Sequence, residues 1–274
     1  MVKNKCIVVL CVGNFFQKHL VEVLPMLKKY SDKCNADLIV RDTPPDVHFK
    51  HNLLSQKLLI PELYKKYEHI LMLDLDIFIS DSCPNIFDEI IDNNIGFSAK
   101  EAQVHSNEYK YVCENVWGIS SANQNQRNPY TGSIESHIKG INGGVMYVNS
   151  FMMADLFKQF YFNNSTVWSK DTVCMNNEEI PMRWIANNNN VFLPMNEKYN
   201  QLIIYYLPKD YKDVIETYKG IRGKIYRRTY KKIPKFVTNN IFGSRYKEAV
   251  SSAIDYSDGI THFAGGFPYP YFKL

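Results

Sequence analysis

The sequence predicts an α/β fold with a mainly parallel central sheet flanked by helices, and three stretches predict it. The first is Ile70-Leu71-Met72-Leu73-Asp74-Leu75-Asp76-Ile77-Phe78-Ile79, a short apolar run interrupted by two carboxylates. A continuous apolar run of this length is the form of a strand buried on both faces of a parallel sheet. The second is a β-α-β beginning: Cys6 to Val12 as a strand, Val21 to Tyr30 as a helix, and Ala36 to Val40 as a strand. Such units make right-handed crossovers within parallel sheets. The third is Gly140-Ile141-Asn142-Gly143-Gly144-Val145-Met146-Tyr147-Val148-Asn149, where a glycine pair leads directly into a strand.

Taken in order, the opening helix carries its apolar spacing at Val23, Leu24, Leu27 and Tyr30, and Pro25 is tolerable only near its first turn. Ligands of such sheets bind at the carboxyl ends of the strands. Cys11, Val12, Gly13 and Asn14 therefore share an edge with Asp74 and Asp76, and Gly13 lets backbone approach a ligand there. No Gly-x-Gly-x-x-Gly fingerprint follows the first strand, which argues against an ordinary dinucleotide site. Leu53 to Tyr67 is expected as one helix, or two meeting at Pro61, with Leu54, Leu58, Leu59, Leu63 and Tyr67 on its apolar side. Lys57 reaches the ligand edge only if it lies near the amino end of that helix, and a solvated surface lysine is the ordinary alternative.

A buried charge needs a partner, so Asp74 and Asp76 are expected at the carboxyl edge of their strand, facing a cation or a polar ligand. Asp-x-Asp at such a place is a candidate clamp for a hard divalent cation shared with substrate phosphates. The plain alternative is a strand-end pair that opens a solvated turn before Asp81 and Pro84. Pro84 to Ile91 then reads as a short helix and Ile95 to Ala99 as a strand. Residues 100 to 139 lose periodicity, with Gly118, Pro129 and Gly132 among Ser, Asn and Gln and with Tyr111 and Trp117 as aromatic anchors; a loop over the active edge is the working expectation.

The glycine pair marks close backbone approach or a bulge, which makes Asn142 a candidate hydrogen-bonder to a ligand. Phe151 to Phe162 reads as an amphipathic helix. Glu178 and Glu179 open a further helix that runs through Trp184 and Ile185 and ends in Asn187 to Asn190. Acidic residues in a first turn suit the helix dipole; alternatively, one of the two faces the reaction centre. Val191 to Met195 and Gln201 to Leu207 are expected as strands. In Gly259-Ile260-Thr261-His262-Phe263-Ala264-Gly265-Gly266 a histidine ends a short apolar run beside glycines, a placement suited to a metal and phosphate site.

With 274 residues, 45% of them hydrophobic, the chain can bury a large core. Its apolar runs reach about half of the roughly 20 residues needed to span a bilayer, so a protein integral to a membrane is not expected. Met1 to Val12 superficially resembles the start of a secretory signal, but the apolar run is short and Gly13-Asn14 supplies the turn that ends a first strand. Cys6, Cys11, Cys34, Cys83, Cys113 and Cys174 form no Cys-x-x-Cys pair, so reduced, mostly buried thiols and a cytoplasmic location are expected. Net charge is +4, yet Lys219, Arg222, Lys224, Arg227, Arg228, Lys231, Lys232, Lys235, Arg245 and Lys247 place ten positive charges between Glu216 and Glu248 with no acidic residue among them. Without those ten the remainder stands at −6. The segment points to an anionic partner such as a lipid surface, a nucleic acid or a phosphorylated substrate.

The ordered set of a β-α-β start, Lys57, Leu-Asp-Leu-Asp, Ile-Asn-Gly-Gly-Val-Met, Asn-Glu-Glu-Ile and His-Phe-Ala-Gly-Gly spans Cys6 to Gly266. In that order it resembles the GT-A nucleotide-sugar glycosyltransferases, especially the family 8 group that includes glycogenin and bacterial galactosyltransferases. The resemblance implies a GT-A (Rossmann-like) mixed, mainly parallel sheet over residues 1–207, a basic appendage over 208–250 and a C-terminal return over 251–274. It implies Mn²⁺, or Mg²⁺, held on the donor diphosphate of a UDP-sugar by Asp74, Asp76 and His262. It implies donor contacts from Lys57, Asn142, Gly143 and Gly265, with Glu178 or Glu179 beside the reacting sugar. Transfer with retention to a saccharide, protein or lipid hydroxyl follows from the same likeness. The Lys-Pro-Trp usual after the histidine is replaced by Phe267-Pro268-Tyr269, so another cation must stand in for that lysine or donor binding is weak. Acceptor recognition is expected from residues 100 to 139 and the basic segment, where Tyr218, Tyr226 and Tyr230 suit either a sugar or lipid headgroup or an ordinary solvated helix. Nucleic acid is a lesser expectation. Two other classes compete: a catalytically degenerate anion-binding module, and a haloacid-dehalogenase-type phosphatase, which Ile77-Phe78 after the second aspartate disfavours.

Overall fold

The computed structural model describes residues 4–48, 53–91, 95–101, 107, 111, 141–163, 178–229, 242–255 and 257–264. Trp117, Gly118, Pro129, Gly132, Cys113, Cys174, Tyr230, Lys231, Lys232, Lys235 and Gly265 to Tyr269 lie outside the described residues, as does most of the loop expected over 100 to 139.

Strands β1 (Lys5–Leu10), β2 (Asp37–Arg41), β3 (His69–Leu73), β5 (Phe97–Glu101), β6 (Ile141–Asn149) and β7 (Phe192–Pro194) form a six-stranded sheet in the order β2-β1-β3-β6-β5-β7. The β1–β2, β1–β3 and β5–β7 pairs are parallel and β6 is antiparallel to both neighbours, so one reversed strand makes the sheet mixed. Alternating side chains separate two apolar layers. Ile7, Val9, Leu71, Leu73, Val145 and Tyr147 enter one, and Cys6, Val8, Ile70, Met72, Met146 and Val148 the other. A smaller sheet joins β4 (Ile77–Ile79), β9 (Ile260–His262) and β8 (Gln201–Leu202), with β9 in the middle.

Helix α1 (Asn14–Lys33) begins well before the expected Val21. Its buried stripe is His19, Val23, Leu27 and Tyr30, and the polar His19 hides the pattern from a hydrophobicity reading. Pro25 sits inside this helix rather than in its first turn. Both Pro25 and Val21, whose carbonyl loses a helical partner, are exposed, so water can satisfy the freed group.

The helix expected over Leu53 to Tyr67 is instead a 3₁₀ turn, Ser55–Leu59, followed by one α-turn, α2 (Ile60–Leu63). Pro61 is the cause. It has no N–H to give the Lys57 carbonyl, which accepts instead from Ile60, three residues on. Leu54 and Leu63 are exposed, while Leu58, Leu59 and Tyr67 are buried. Helix α3 (Ile86–Ile90) is capped by Asn85, whose side chain accepts from the Phe87 N–H. Helix α4 (Ser150–Asn163) packs on the 3₁₀ turn and α2, and α5 (Glu179–Asn189) ends at Asn190 in the left-handed conformation.

The strand expected over Gln201 to Leu207 stops at Leu202, and α6 (Ile203–Asp210) takes its place. Ile203, Ile204, Leu207 and Pro208 are the buried residues, at helical spacing. Helices α7 (Lys212–Lys219), α8 (Ile221–Thr229) and α9 (Gly243–Asp255) complete the described chain before β9. Val214, Ile215, Tyr218, Tyr226, Phe242, Tyr246, Ala249 and Val250 belong to the same apolar cluster as Val9 and Leu73. Tyr218 and Tyr226, offered above as sugar or headgroup contacts, are therefore core residues. Within the basic segment Lys219 pairs with Glu216, and Arg245 with Asp213 and Glu248, which flank it. Among the described residues no helix is long and apolar enough to cross a membrane. Cys6, Cys11, Cys34 and Cys83 are buried and unpaired, and burial pushes their thiols up, that of Cys6 to about 12.

Phe242 stacks on Tyr218 at 6.1 Å, meets Tyr226 edge-on at 5.3 Å and lies 5.4 Å from Tyr246. Phe242→Ala is expected to cost about 3–5 kcal/mol by cavity formation, read as a shift of the urea unfolding midpoint. A much smaller cost would mean that this aromatic knot is peripheral.

Candidate active site

The Asp-x-Asp stretch lies where the chain passes from one sheet to the other. The Asp74 N–H donates to the Gly144 carbonyl at 2.8 Å, prolonging the β3–β6 ladder by one residue. The Phe263 N–H donates to the Asp76 carbonyl at 2.8 Å, which ties the second aspartate to β9, where Ile77 pairs with His262. Leu75 between them is buried, and its carbonyl meets His19 Nε2 from α1 at 2.7 Å. The hand-over thus aims two carboxylates at one histidine. His262 Nε2 is 3.3 Å from Asp76 Oδ1 and 4.0 Å from Asp74 Oδ2.

Lys57 closes the other side. Its Nζ contacts Glu178 Oε1 at 2.6 Å, Asp74 Oδ1 at 2.7 Å and the Gly143 carbonyl at 3.1 Å. The lysine is 5% exposed, so the solvated-lysine alternative is set aside. Burial works against its charge, but Asp74 and Glu178 outweigh burial and hold the ammonium above the usual lysine range. An ammonium has three N–H donors, and here all three have partners. Lys57 therefore organises the site through Asp74 and Glu178.

The two glycines of β6 permit this convergence. A Cβ on Gly143 would lie 2.6 Å from Glu178 Oε1, and one on Gly144 would lie 2.0 Å from the His262 ring. The register of β5 against β6 shifts between Ala99 and Lys100, opposite this stretch, so close approach and bulge occur together.

A relay of amides sets the state of His262. The Gly144 N–H, which can only donate, donates to Asn142 Oδ1 at 3.1 Å, and Asn142 Nδ2 then donates to Glu179 Oε1 at 3.2 Å. Asn200 Nδ2 donates to the same Asn142 Oδ1 at 2.9 Å, which turns Asn200 Oδ1 toward His262 Nδ1 at 3.1 Å. An amide oxygen only accepts, so in the neutral imidazole the His262 proton sits on Nδ1, which leaves the Nε2 lone pair for a cation placed between Asp74 and Asp76. This is the arrangement of a metal-ligating histidine whose second nitrogen is held by an outer partner.

One ligand atom each from Asp74, Asp76 and His262 lie within 4.8 Å of one another. Two carboxylate oxygens and an imidazole nitrogen suit a borderline divalent ion such as Mn²⁺, and Asp74 has Oδ2 to offer while Oδ1 holds Lys57. Among the described residues the buried Glu178 Oε2 has no hydrogen-bond partner, a further polar atom left for a ligand. Burial and the neighbouring Asp76 push the Asp74 carboxyl up against the pull of Lys57. Asp76 is held low despite burial by His262, and His262 is raised despite burial by Asp76.

The structure thus brings together Lys57, Asp74, Asp76, Asn142, Gly143, Glu178, Glu179 and His262. Both glutamates turn toward the cluster: Glu178 meets Lys57, and Glu179 meets Asn142 and the Gly143 N–H. Cys11, Val12, Gly13 and Asn14 follow β1 at the carboxyl edge beside β3. Gly13 has a φ of 97° and caps α1, a conformation that favours glycine. Asn200 and Gly144 were not among the expected site residues. An Asn just before an apolar run, as at Asn142, was the only signal for Asn200.

No family model matches the chain, and no curated protein matches it. Among solved structures it is similar to the apo bifunctional glycosyltransferase WbbM, at 11% identity with a TM-score of 0.58, over 98% of this chain and 47% of that one. The fold is that of a GT-A glycosyltransferase. This chain spans about half the length of WbbM. It is also similar to the galactosyltransferase LgtC in complex with donor and acceptor sugar analogs, at 11% identity and a TM-score of 0.49, over 94% of this chain and 87% of that one. A third is a glycosyltransferase involved in the glycosylation of the major capsid of PBCV-1, at 12% identity and a TM-score of 0.46, over 95% and 93%. In the GT-A frame, the Asp-x-Asp hand-over occupies the carboxyl edge of the central strand.

Two outcomes test this arrangement. Lys57→Met strands Asp74 and Glu178 without their cation and is expected to cost about 3–5 kcal/mol. Lys57→Met with Glu178→Gln should recover part of that loss in urea unfolding; no recovery would show that Lys57 does not act by neutralising Glu178. Burial, then the charge of Glu178, raise Glu179 from 4.5 to about 7. Its neutral form is thus favoured by the folded state, and its contribution to stability is lost as pH rises between about 4.5 and about 7. Glu179→Gln, which mimics the neutral form, should raise the melting temperature at about pH 8 and leave it nearly unchanged at about pH 4; an equal effect at both would contradict the assignment.

Proposed function

We propose that this chain is a metal-dependent glycosyltransferase of the family 8 kind, moving a sugar from a UDP-sugar to a hydroxyl acceptor with retention. The observation that carries the reading is the Asp74–Asp76–His262 group, backed by the buried Lys57, at the carboxyl edge of a GT-A sheet. In the reaction the bond from the anomeric carbon to the phosphate oxygen breaks, its electron pair leaving with UDP, a glycosidic bond forms to the acceptor oxygen, and the proton of the acceptor hydroxyl passes to the departing phosphate oxygen. A divalent ion held by Asp74, Asp76 and His262 would supply Lewis-acid stabilisation of the departing diphosphate.

The chain's own residues supply the rest. Lys57 keeps Asp74 and Glu178 compatible in a buried place and fixes the Asp74 carboxylate. Asn200 and Asn142 hold the His262 imidazole with Nε2 toward the carboxylates. Glu179, anchored by Asn142 and the Gly143 N–H, is the carboxyl we assign to the face of the reacting sugar, while Glu178 serves the lysine. The segments after β1 (Cys11, Val12, Gly13 and Asn14) and after His262 (Gly265) are assigned to the nucleotide and its phosphates. Exposed Arg222, Lys224 and Arg228 on α8 and Lys247 on α9 are described cations suited to an anionic surface. The four described thiols, free of disulfides, accord with a cytoplasmic setting.

UDP release from a panel of UDP-sugars, with and without Mn²⁺, tests the reading in wild type and in Asp76→Ala. Metal-dependent release from one sugar, abolished in the variant, is expected. If there is no release and UDP with Mn²⁺ also fails to bind, the donor-site assignment is wrong and an anion-binding module replaces it.

A further inference from the structure

A cleft of about 320 Å³ lies beside the cluster. It shares β9 and the turn Glu197–Asn200 with the site and adjoins it through β5 and β8. Lys100 is the register partner of Asn142, Gln201 follows Asn200, and Thr261 precedes His262. Its buried part presents Lys100, 5% exposed, and Thr261, 2% exposed. Among the described residues no hydrogen bond or ion pair reaches the Lys100 ammonium, and the buried Thr261 Oγ1 has no partner. Half-buried Tyr205 and Tyr206 and the exposed Lys209 line the cleft from α6, and Glu197 is the one carboxylate among its described residues.

A buried ammonium without a counter-charge is costly, and proteins keep such groups where something pairs with them. Burial pushes Lys100 below the usual lysine range despite the opposing pull of Glu197, so the described residues leave the charge under-compensated. The cleft offers donors: the Lys100 ammonium, the Thr261 hydroxyl and the Gln201 amide, with the Lys209 charge at the mouth. Two tyrosine rings provide the amphipathic walls on which a sugar ring packs, and Glu197 can accept from a sugar hydroxyl. Its described lining holds two lysines against one glutamate, a positive balance.

We propose that this cleft binds an anionic saccharide, one bearing a carboxylate or a phosphate, through Lys100 and Thr261. Resting on the transferase reading, that saccharide is the acceptor or its nearest residue, and Lys100 determines that the acceptor must carry negative charge. Lys100 is then a specificity residue, distinct from the metal cluster.

The test is equilibrium binding of glucuronic acid, glucose 6-phosphate and neutral glucose to the intact chain without metal, followed by calorimetry or ligand-observed NMR. At least one of the two anionic sugars should bind about tenfold more tightly than glucose, and Lys100→Met should abolish that preference, the scale of one charge-assisted hydrogen bond. Whichever of the two binds identifies carboxylate or phosphate as the group held. Lys100→Met removes an uncompensated buried charge, so its melting temperature should be unchanged or higher, which separates lost binding from lost folding. Thr261→Val, close in shape, should weaken the anionic sugar while sparing glucose. Equal affinity for glucose, no binding of either anionic sugar, or an unaltered Lys100→Met would overturn the inference. A separate UDP and Mn²⁺ titration keeps the two readings apart. If wild type binds UDP but no anionic sugar, the cleft inference fails alone. If it binds the anionic sugar but not UDP, the transferase reading fails and the anion site stands.

Discussion

One buried ammonium holds the site together. Lys57 comes from a 3₁₀ turn, Asp74 from the end of β3, Glu178 from the start of α5 and the Gly143 carbonyl from β6, and all four meet at a single Nζ. Without that charge, Asp74 and Glu178 would face one another with no cation between them, at a cost of several kcal/mol. The convergence depends in turn on Pro61. By withholding an N–H from the Lys57 carbonyl, it tightens the turn that carries the lysine inward rather than along a solvated helix.

The second constraint is the change of sheet between Asp74 and Asp76. The first aspartate is tied by its backbone to β6 and the second to β9, so their spacing is set by two ladders rather than by a flexible loop. His262 arrives on β9 already oriented, because the Gly144 N–H dictates the amide orientation of Asn142, hence of Asn200, hence the tautomer of the imidazole. A backbone donor three hydrogen bonds away thereby decides which nitrogen is free to ligate. Preorganisation of this kind lets a site meet developing charge without rearranging when it does so. The same compactness explains the glycine pair, since neither Glu178 nor His262 could lie where it does against a β6 backbone bearing side chains.

Much of this was legible from residue order. The buried strand with its carboxylates, the two strands of the β-α-β start, the glycine pair before Val145 and the histidine at a strand end are local patterns, and each arose within a residue or two of its expected place. Other readings failed for reasons that are also local. His19 broke an apolar stripe that the helix buries all the same. Ile203 to Leu207 is a short apolar run whose period does not separate strand from helix until its neighbours pack. Lys57 looked like a surface lysine because nothing within a few residues of it carries the opposite charge that it meets, 17 residues on at Asp74 and far beyond at Glu178.

By itself, then, the sequence determined which segments are strands at the core, which carboxylates and which histidine stand at strand ends, and the order in which they recur. Those features follow from periodicity, turn chemistry and the cost of burying charge, all of which act over short stretches of chain. Only the tertiary structure decided that Asn200 orients His262, that Glu178 serves Lys57 while Glu179 turns to Asn142, that Tyr218 and Tyr226 are core, and that Lys100 is buried with no ion pair among the described residues. Each is a relation between side chains brought together by the pairing of strands distant in sequence. Partners of that kind are chosen by register and packing, on which no single stretch of the chain carries information.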